Sequence, residues 1–124
     1  MQSAASPAAY ESWRQRQCVA APNRTVAEGL STGTAFALPQ AILQQALDDF
    51  VLVGDDEILQ AVVWMVEHAH TLAEGAGAAA LAAAYRLRDR LEGKRIGLVC
   101  SGGNIAVEQL RQALGLVGQV ATGA

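Results

Sequence analysis

Apolar positions recur at helical spacing in five stretches of this chain and run consecutively in two short ones. Tyr10 and Trp13 stand three apart within Ala8–Gln17, and Ser6-Pro7 ahead of them predicts an N-cap and a first helical residue. Only a few residues precede that helix, so no strand is expected to lead in. Pro39 opens a second helix with an apolar face of Ile42, Leu43, Ala46 and Leu47. Asp55 is the expected cap of a third, whose stripe is Ile58, Leu59, Val62, Val63, Val66 and Ala69, with Asp56 and Glu57 favourably placed in its first turn. Gly75-Ala76-Gly77 leads into a fourth helix running to about Leu91, whose small residues from Ala78 to Ala84 permit close packing. Ile105, Val107, Leu110 and Leu114 mark a fifth, and residues 115–124 read as a frayed tail.

The two consecutive runs, Phe50–Val53 and Arg95–Cys100, read as strands, the second buried on both faces. Between the first two helices, Cys18–Leu38 follows no period, and a segment that long is expected to be functional or packed on something else. Two parallel strands cannot form a sheet covered on both faces, because each needs lateral neighbours. The expected fold is therefore α/β and helix-rich, a partial three-layer open parallel sheet, with residues 1–124 forming a single incomplete domain.

Composition narrows the functional classes. The chain has 124 residues, enough for one modest core, and although 52% are hydrophobic only 5% are aromatic, so alanine supplies much of the apolar content. A net charge of −3 without a basic cluster argues against a nucleic-acid partner. The Ala76–Ala84 run is too short to cross a bilayer and the opening residues lack a signal-peptide pattern, so a cytoplasmic location without a membrane partner is expected. Cys18 and Cys100 have no metal-ligand spacing and are expected to be reduced, buried thiols. His68 and His70 end a helix, where its dipole accounts for them better than a metal does.

The chemistry is concentrated in Ser101-Gly102-Gly103-Asn104, a hydroxyl, two glycines and an amide between the second apolar run and the last helical pattern. At the carboxyl edge of an open parallel sheet, such a junction presents backbone N–H groups and a helix N-terminus to a ligand. A helix cap and a tight turn would equally account for these four residues. Neither glycine-rich nucleotide signature is present.

Four blocks, Thr25–Leu30 (TVAEGL), Asp48–Ile58 (DDFVLVGDDEI), Glu74–Ala83 (EGAGAAALAA) and Gly93–Ile105 (GKRIGLVCSGGNI), resemble in order and spacing the carboxyl-terminal part of threonine dehydratases and serine racemases. These are fold-type-II enzymes dependent on pyridoxal phosphate. The resemblance implies that Ser101 hydrogen-bonds the cofactor's pyridine nitrogen, with Gly102, Gly103 and Asn104 completing that loop. A hydroxyl at this place leaves the nitrogen largely unprotonated, which suits β-elimination. Glu74 matches a carboxylate near the ring, although Gly75 stands where the family usually has proline. Some relatives bind a divalent cation through acidic residues at positions matching Gln2, Ser6 and Ala8, none of which is acidic here, so no metal site is expected. The family's Schiff-base lysine and glycine-rich phosphate loop match nothing in this chain and are expected upstream of Met1.

Lys94 is the only lysine. At ~3.3 Å per residue along a strand it would lie on the order of 20 Å from Ser101, too far to hold a cofactor whose nitrogen Ser101 contacts. No catalytic residue is therefore assigned within the chain. The sequence supports an inactive carboxyl-terminal segment of a pyridoxal-phosphate dehydratase that removes ammonia from a hydroxy-amino acid. The alternative is a non-catalytic α/β module or pseudoenzyme that self-associates. Too few strands to cover the apolar helix faces predict a homodimer or higher oligomer in either case.

Overall fold

The computed structural model describes residues 1–121, with side chains through residue 116. Two short parallel strands, β1 (Gln2–Ser3) and β2 (Leu52–Val53), lie in register with Gln2 opposite Leu52 and Ser3 opposite Val53. Backbone bonds from Gln2 N–H to Val51 O (3.0 Å) and from Ala4 N–H to Val53 O (2.8 Å) extend the pairing. Around them stand α1 (Ala8–Gln15), a 3-10 turn (Glu28–Leu30), α2 (Ala37–Ala46), α3 (Asp55–Ala69), α4 (Gly75–Arg86), the single turn α5 (Arg88–Leu91) and α6 (Val107–Ala121). The architecture is a helix-rich α/β fold with a small open parallel sheet.

The core is built on α3 and α4. Ile58, Leu59, Ala61, Val62 and Val63 form the buried stripe of α3, and the face of α4 that meets it is Ala78, Ala79, Ala82 and Ala83. Alanines bring two helix backbones close together, which lets a modest number of branched side chains fill the space between them. Helix α3 also packs against α6, whose Ala113 is fully buried in the same core.

Helices α1 and α2 meet through a different kind of contact. Trp13 Nε1 donates to the Leu43 carbonyl (3.2 Å), Gln40 Nε2 to the Ala9 carbonyl (3.0 Å) and Gln44 Nε2 to the Trp13 carbonyl (2.6 Å). Gln40 is accordingly buried while Ile42, expected on the inner face, is exposed along with Phe36 and Leu38. Polar side chains that satisfy carbonyls of the neighbouring helix have displaced the apolar face predicted from periodicity. Tyr10 and Trp13 set their rings edge-on against Phe50, 5.7 and 5.9 Å away, and tie this pair to the approach of β2.

Several other expectations are corrected. A strand does lead into α1, because β1 needs only two residues when β2 supplies its partner. Ser6 does not cap α1: its hydroxyl donates to Asn23 Oδ1 (2.7 Å) and accepts from Thr32 N–H (3.2 Å), while the carbonyl oxygen of Gln2's side chain accepts Tyr10 N–H (2.9 Å) in the first turn. Gly54, not Asp55, is the N-cap of α3, and Glu57 reaches back to accept the Gly54 N–H (2.6 Å). The fourth helical pattern divides at Leu87 into α4 and α5. Helix α6 continues through Gly115 to Ala121, and residues 122–124 of the expected tail lie outside the described residues.

The largest correction concerns Arg95–Cys100. This run is not a strand and is exposed throughout, with Val99 78% accessible. A strand exists only by lateral pairing of its N–H and C=O groups, and the two-residue β1 and β2 leave no edge long enough to pair it. Cys100 and Cys18 are both exposed free thiols, contrary to the buried pair expected from composition.

Candidate functional site

The glycine loop folds back on the start of α4. Glu74 N–H donates to the Gly102 carbonyl (3.1 Å), which fixes the loop against residues 72–77. The fit depends on missing side chains. A Cβ on Gly77 would collide with the Gly102 carbonyl oxygen, one on Gly102 with the Glu74 carboxylate, and one on Gly103 would lie 2.8 Å from the Leu72 carbonyl oxygen.

A third segment closes the arrangement. Gly29, in the 3-10 turn, approaches α4 so tightly that a Cβ there would stand 2.7 Å from that of Ala76 and 3.7 Å from Glu74 Oε1. Gly75 likewise takes the Ala27 side chain against its backbone. A crevice of about 190 Å³ results, walled by Glu28 and Gly29 on one side, Glu74 and Ala76 on another, and Asn104 and Gln109 on the third. Its polar lining consists of carboxylates and amides, with no lysine or arginine.

The structure thus brings Glu74, Gly102 and Asn104 to one place. Gly103 abuts the link before α4, and Ser101 is exposed just ahead of the loop and does not line the crevice itself. Lys94 follows α5 and Gly93, which has a φ of +73°; it is exposed and does not line the crevice. The strand-based distance fell with the strand, and the place of Lys94 outside the crevice lining stands instead.

Sequence reasoning missed Glu28, Gly29 and Gln109. The signal for Gly29 was present as a glycine inside a long aperiodic segment, where close backbone approach is one of the few reasons to keep it. Gln109 offered no signal, since a glutamine at an intermediate helix position is ordinarily solvated. Among the described residues no group of three or more His, Cys, Asp and Glu side chains is placed to hold a metal, and no helix is long and apolar enough to cross a membrane.

Comparison with known proteins identifies the family. Residues 1–102 match the family described as "Pyridoxal-phosphate dependent enzyme". An L-threonine ammonia-lyase of Geobacter sulfurreducens is 36% identical over 112 residues, which is 89% of this chain and 28% of that protein. One from Thermotoga maritima is 35% identical over 86 residues, 69% of this chain and 21% of that protein. The chain therefore spans roughly a quarter of the curated relatives it matches. Among solved structures, the T.th. threonine deaminase superposes with a TM-score of 0.77 at 27% identity, covering 85% of this chain and 36% of that one. Serine racemase from Dictyostelium discoideum gives 0.74 at 28%, covering 85% and 34%. The chain belongs to the pyridoxal-phosphate dependent enzyme family, as a fold-type-II domain related to the threonine dehydratases and serine racemases.

Proposed function

We propose that this chain is the carboxyl-terminal segment of a pyridoxal-phosphate threonine or serine dehydratase, and that it supplies the surface against which the pyridine ring rests. The observation that carries this reading is the junction of the glycine loop with Glu74, where the absence of side chains at Gly77, Gly102 and Gly103 lets the loop pack directly on the start of α4 beside the crevice. The lining fits one end of the cofactor. Amides and carboxylates line the crevice and the Ser101 hydroxyl is exposed just ahead of the loop, groups that suit the edge of a heteroaromatic ring with a single acceptor nitrogen. A phosphate group calls for cationic side chains or a cluster of free N–H groups, and the crevice lining has no cation.

When bound, pyridoxal phosphate supplies an electron sink for bond breaking at the α-carbon of an amino acid. The chain's own residues act around it. Ser101 would donate a hydrogen bond from its hydroxyl to the ring nitrogen while keeping its proton, which would leave that nitrogen without a full positive charge. Glu74 offers a carboxylate at the ring edge that accepts a hydrogen bond or holds a proton. Gly102 and Gly103 let the loop pack closely on α4, Asn104 places an amide in the crevice wall, and Ala76 with Ile105 supplies its apolar side. A hydroxy-amino acid is the substrate class of the assembled enzyme, and the cytoplasm its setting.

Catalysis requires a lysine that this chain does not bring to the site, so the chain alone is inactive. Borohydride reduction after mixing with pyridoxal phosphate, followed by mass spectrometry, is expected to find no stoichiometric adduct. An adduct at Lys94 accompanied by ketoacid release from threonine would overturn the reading.

One observation favours a second reading, a self-associating module without catalysis. Ile96, Leu98 and Val99 form an exposed apolar run, and Phe36, Leu38 and Ile42 another. Surfaces of this kind pair with another chain, so we expect a homodimer or higher oligomer.

A further inference from the structure

We infer that Asp55 and Gln109 are positioning residues that clamp the Val26 peptide from its two ends and so set the Glu28–Gly29 wall against Glu74. The functional half of this inference rests on the crevice being the ring site proposed above.

Asp55 is expected from sequence to cap a helix, but its carboxylate is turned elsewhere. Oδ1 accepts the hydroxyls of Ser3 (2.7 Å) and Thr25 (2.7 Å), and Oδ2 accepts the Val26 N–H (2.8 Å). Ser3 is fully buried at the end of β1, so one carboxylate ties the sheet, the start of α3 and the Thr25–Val26 segment together. Hydrogen bonds to an ionised acceptor are about twice as strong as neutral ones, and here one carboxylate receives three. Thr25 Oγ1 in turn accepts the Ala27 N–H (3.1 Å).

The other end of the Val26 residue is held from α6, where Gln109 Nε2 donates to its carbonyl. Val26 thus has both backbone polar groups bound by side chains of different helices. Beyond it the chain has no slack: Ala27 is fully buried against Gly75, and Gly29 meets Ala76 two residues later. Glu28 and Gly29 are one wall of the crevice and Gln109 lines it, so a shift of the Val26 peptide is a shift of that wall.

Asp55→Asn separates the parts. Whichever way the amide turns, the charged acceptor is lost: with its oxygen on Ser3 and Thr25 an NH₂ group confronts the Val26 N–H, and with its oxygen on Val26 that bond becomes a neutral one and the two hydroxyls must turn to accept. Asp56→Asn is the control, because it removes the same charge from the first turn of α3 and touches neither Thr25 nor Val26. Amide exchange is read by NMR on the full 124-residue chain, alone and titrated with pyridoxine 5′-phosphate, which carries the ring without the reactive aldehyde.

In the Asp55→Asn protein, exchange over residues 26–30 should rise about tenfold or more, as expected for loss of a hydrogen bond to a charged group. Exchange within α3 should match the Asp56→Asn control. The ligand should still shift the amides of Ser101 and Asn104 but no longer that of Gly29. Equal exchange over 26–30 in the two variants would overturn the clamp. Should Asp55→Asn fail to fold, Gln109→Met carries the test from the other side, and unchanged exchange over 26–30 there overturns it too. A wild-type chain in which the ligand shifts none of these amides would sink the ring-site reading, while the exchange comparison still decides the clamp.

Discussion

Glu74 and Gly102 are joined through their backbones, the N–H of one to the carbonyl of the other at 3.1 Å. The carboxylate-bearing start of α4 and the glycine loop therefore form one unit before any ligand arrives. Because the link runs between main-chain atoms, no side-chain substitution removes it directly, but added bulk can pry it apart.

Gly77→Ala and Gly102→Ala should fail differently. A methyl at Gly77 meets the backbone carbonyl of Gly102, which can yield only by moving the loop, and is expected to cost about 1–3 kcal/mol in urea denaturation. A methyl at Gly102 meets the end of a flexible carboxylate, so stability should fall less while Glu74 swings away from its place. Gly97→Ala has nothing within 4 Å and should stay within about 0.5 kcal/mol of wild type.

Ser101→Ala is a test of function with little structural content. Ser101 is exposed, so unfolding should be unchanged within about 0.5 kcal/mol. In the assembled enzyme the substitution should weaken cofactor retention by about 0.5–1.5 kcal/mol, one hydrogen bond's worth, and slow elimination. Equilibrium dialysis and product assay read the two effects, and no change in either would leave Ser101 a turn residue.

Leu59→Ala probes the core. Leu59 is 1% exposed in the stripe of α3, and truncation should cost about 2–5 kcal/mol, a large share of the stability of a chain this size. Thermal unfolding followed by circular dichroism would show a loss of cooperativity, whereas Leu38→Ala, at an exposed site, should be nearly silent.

Association should depend on the run that failed to become a strand. Light scattering of the wild-type chain at micromolar concentration is expected to report a dimer or larger species. Replacing Leu98 and Val99 by lysine should shift the population toward monomer. A wild-type monomer would defeat the idea.

The sequence made some parts of the fold legible for a clear reason. Ile58, Leu59, Val62 and Val63 repeat at 3.6 spacing inside one helix, where burial depends on local geometry alone. Val99 and its neighbours had equal apolar content, yet their state depended on a partner strand that no local pattern records. Gln2–Ser3 was invisible because two residues carry no period. The site divided in the same way: Glu74, Gly102 and Asn104 stand out in recognisable blocks, while Gly29, though inside the Thr25–Leu30 block, reaches the crevice through its contact with Ala76, and Gln109 through the Val26 carbonyl. Asp55 reads as a cap because aspartate before a helix usually is one, and only the positions of Thr25 and Val26 reveal its other partners.

The pairing of Gln2 with Leu52 also sets an order of events in time. A parallel partner some fifty residues away cannot be met by a hairpin, so the loop between them must close before β1 exists at all. The α3–α4 pair needs only the short link from His70 to Glu74 and can assemble first as a local nucleus. On a ribosome adding about 5–20 residues per second, β1 would wait seconds for β2 to emerge, with the buried hydroxyl of Ser3 meanwhile in water. The β1–β2 pairing is thus a late event relative to α3–α4, and it is Asp55, arriving with α3, that receives the Ser3 hydroxyl.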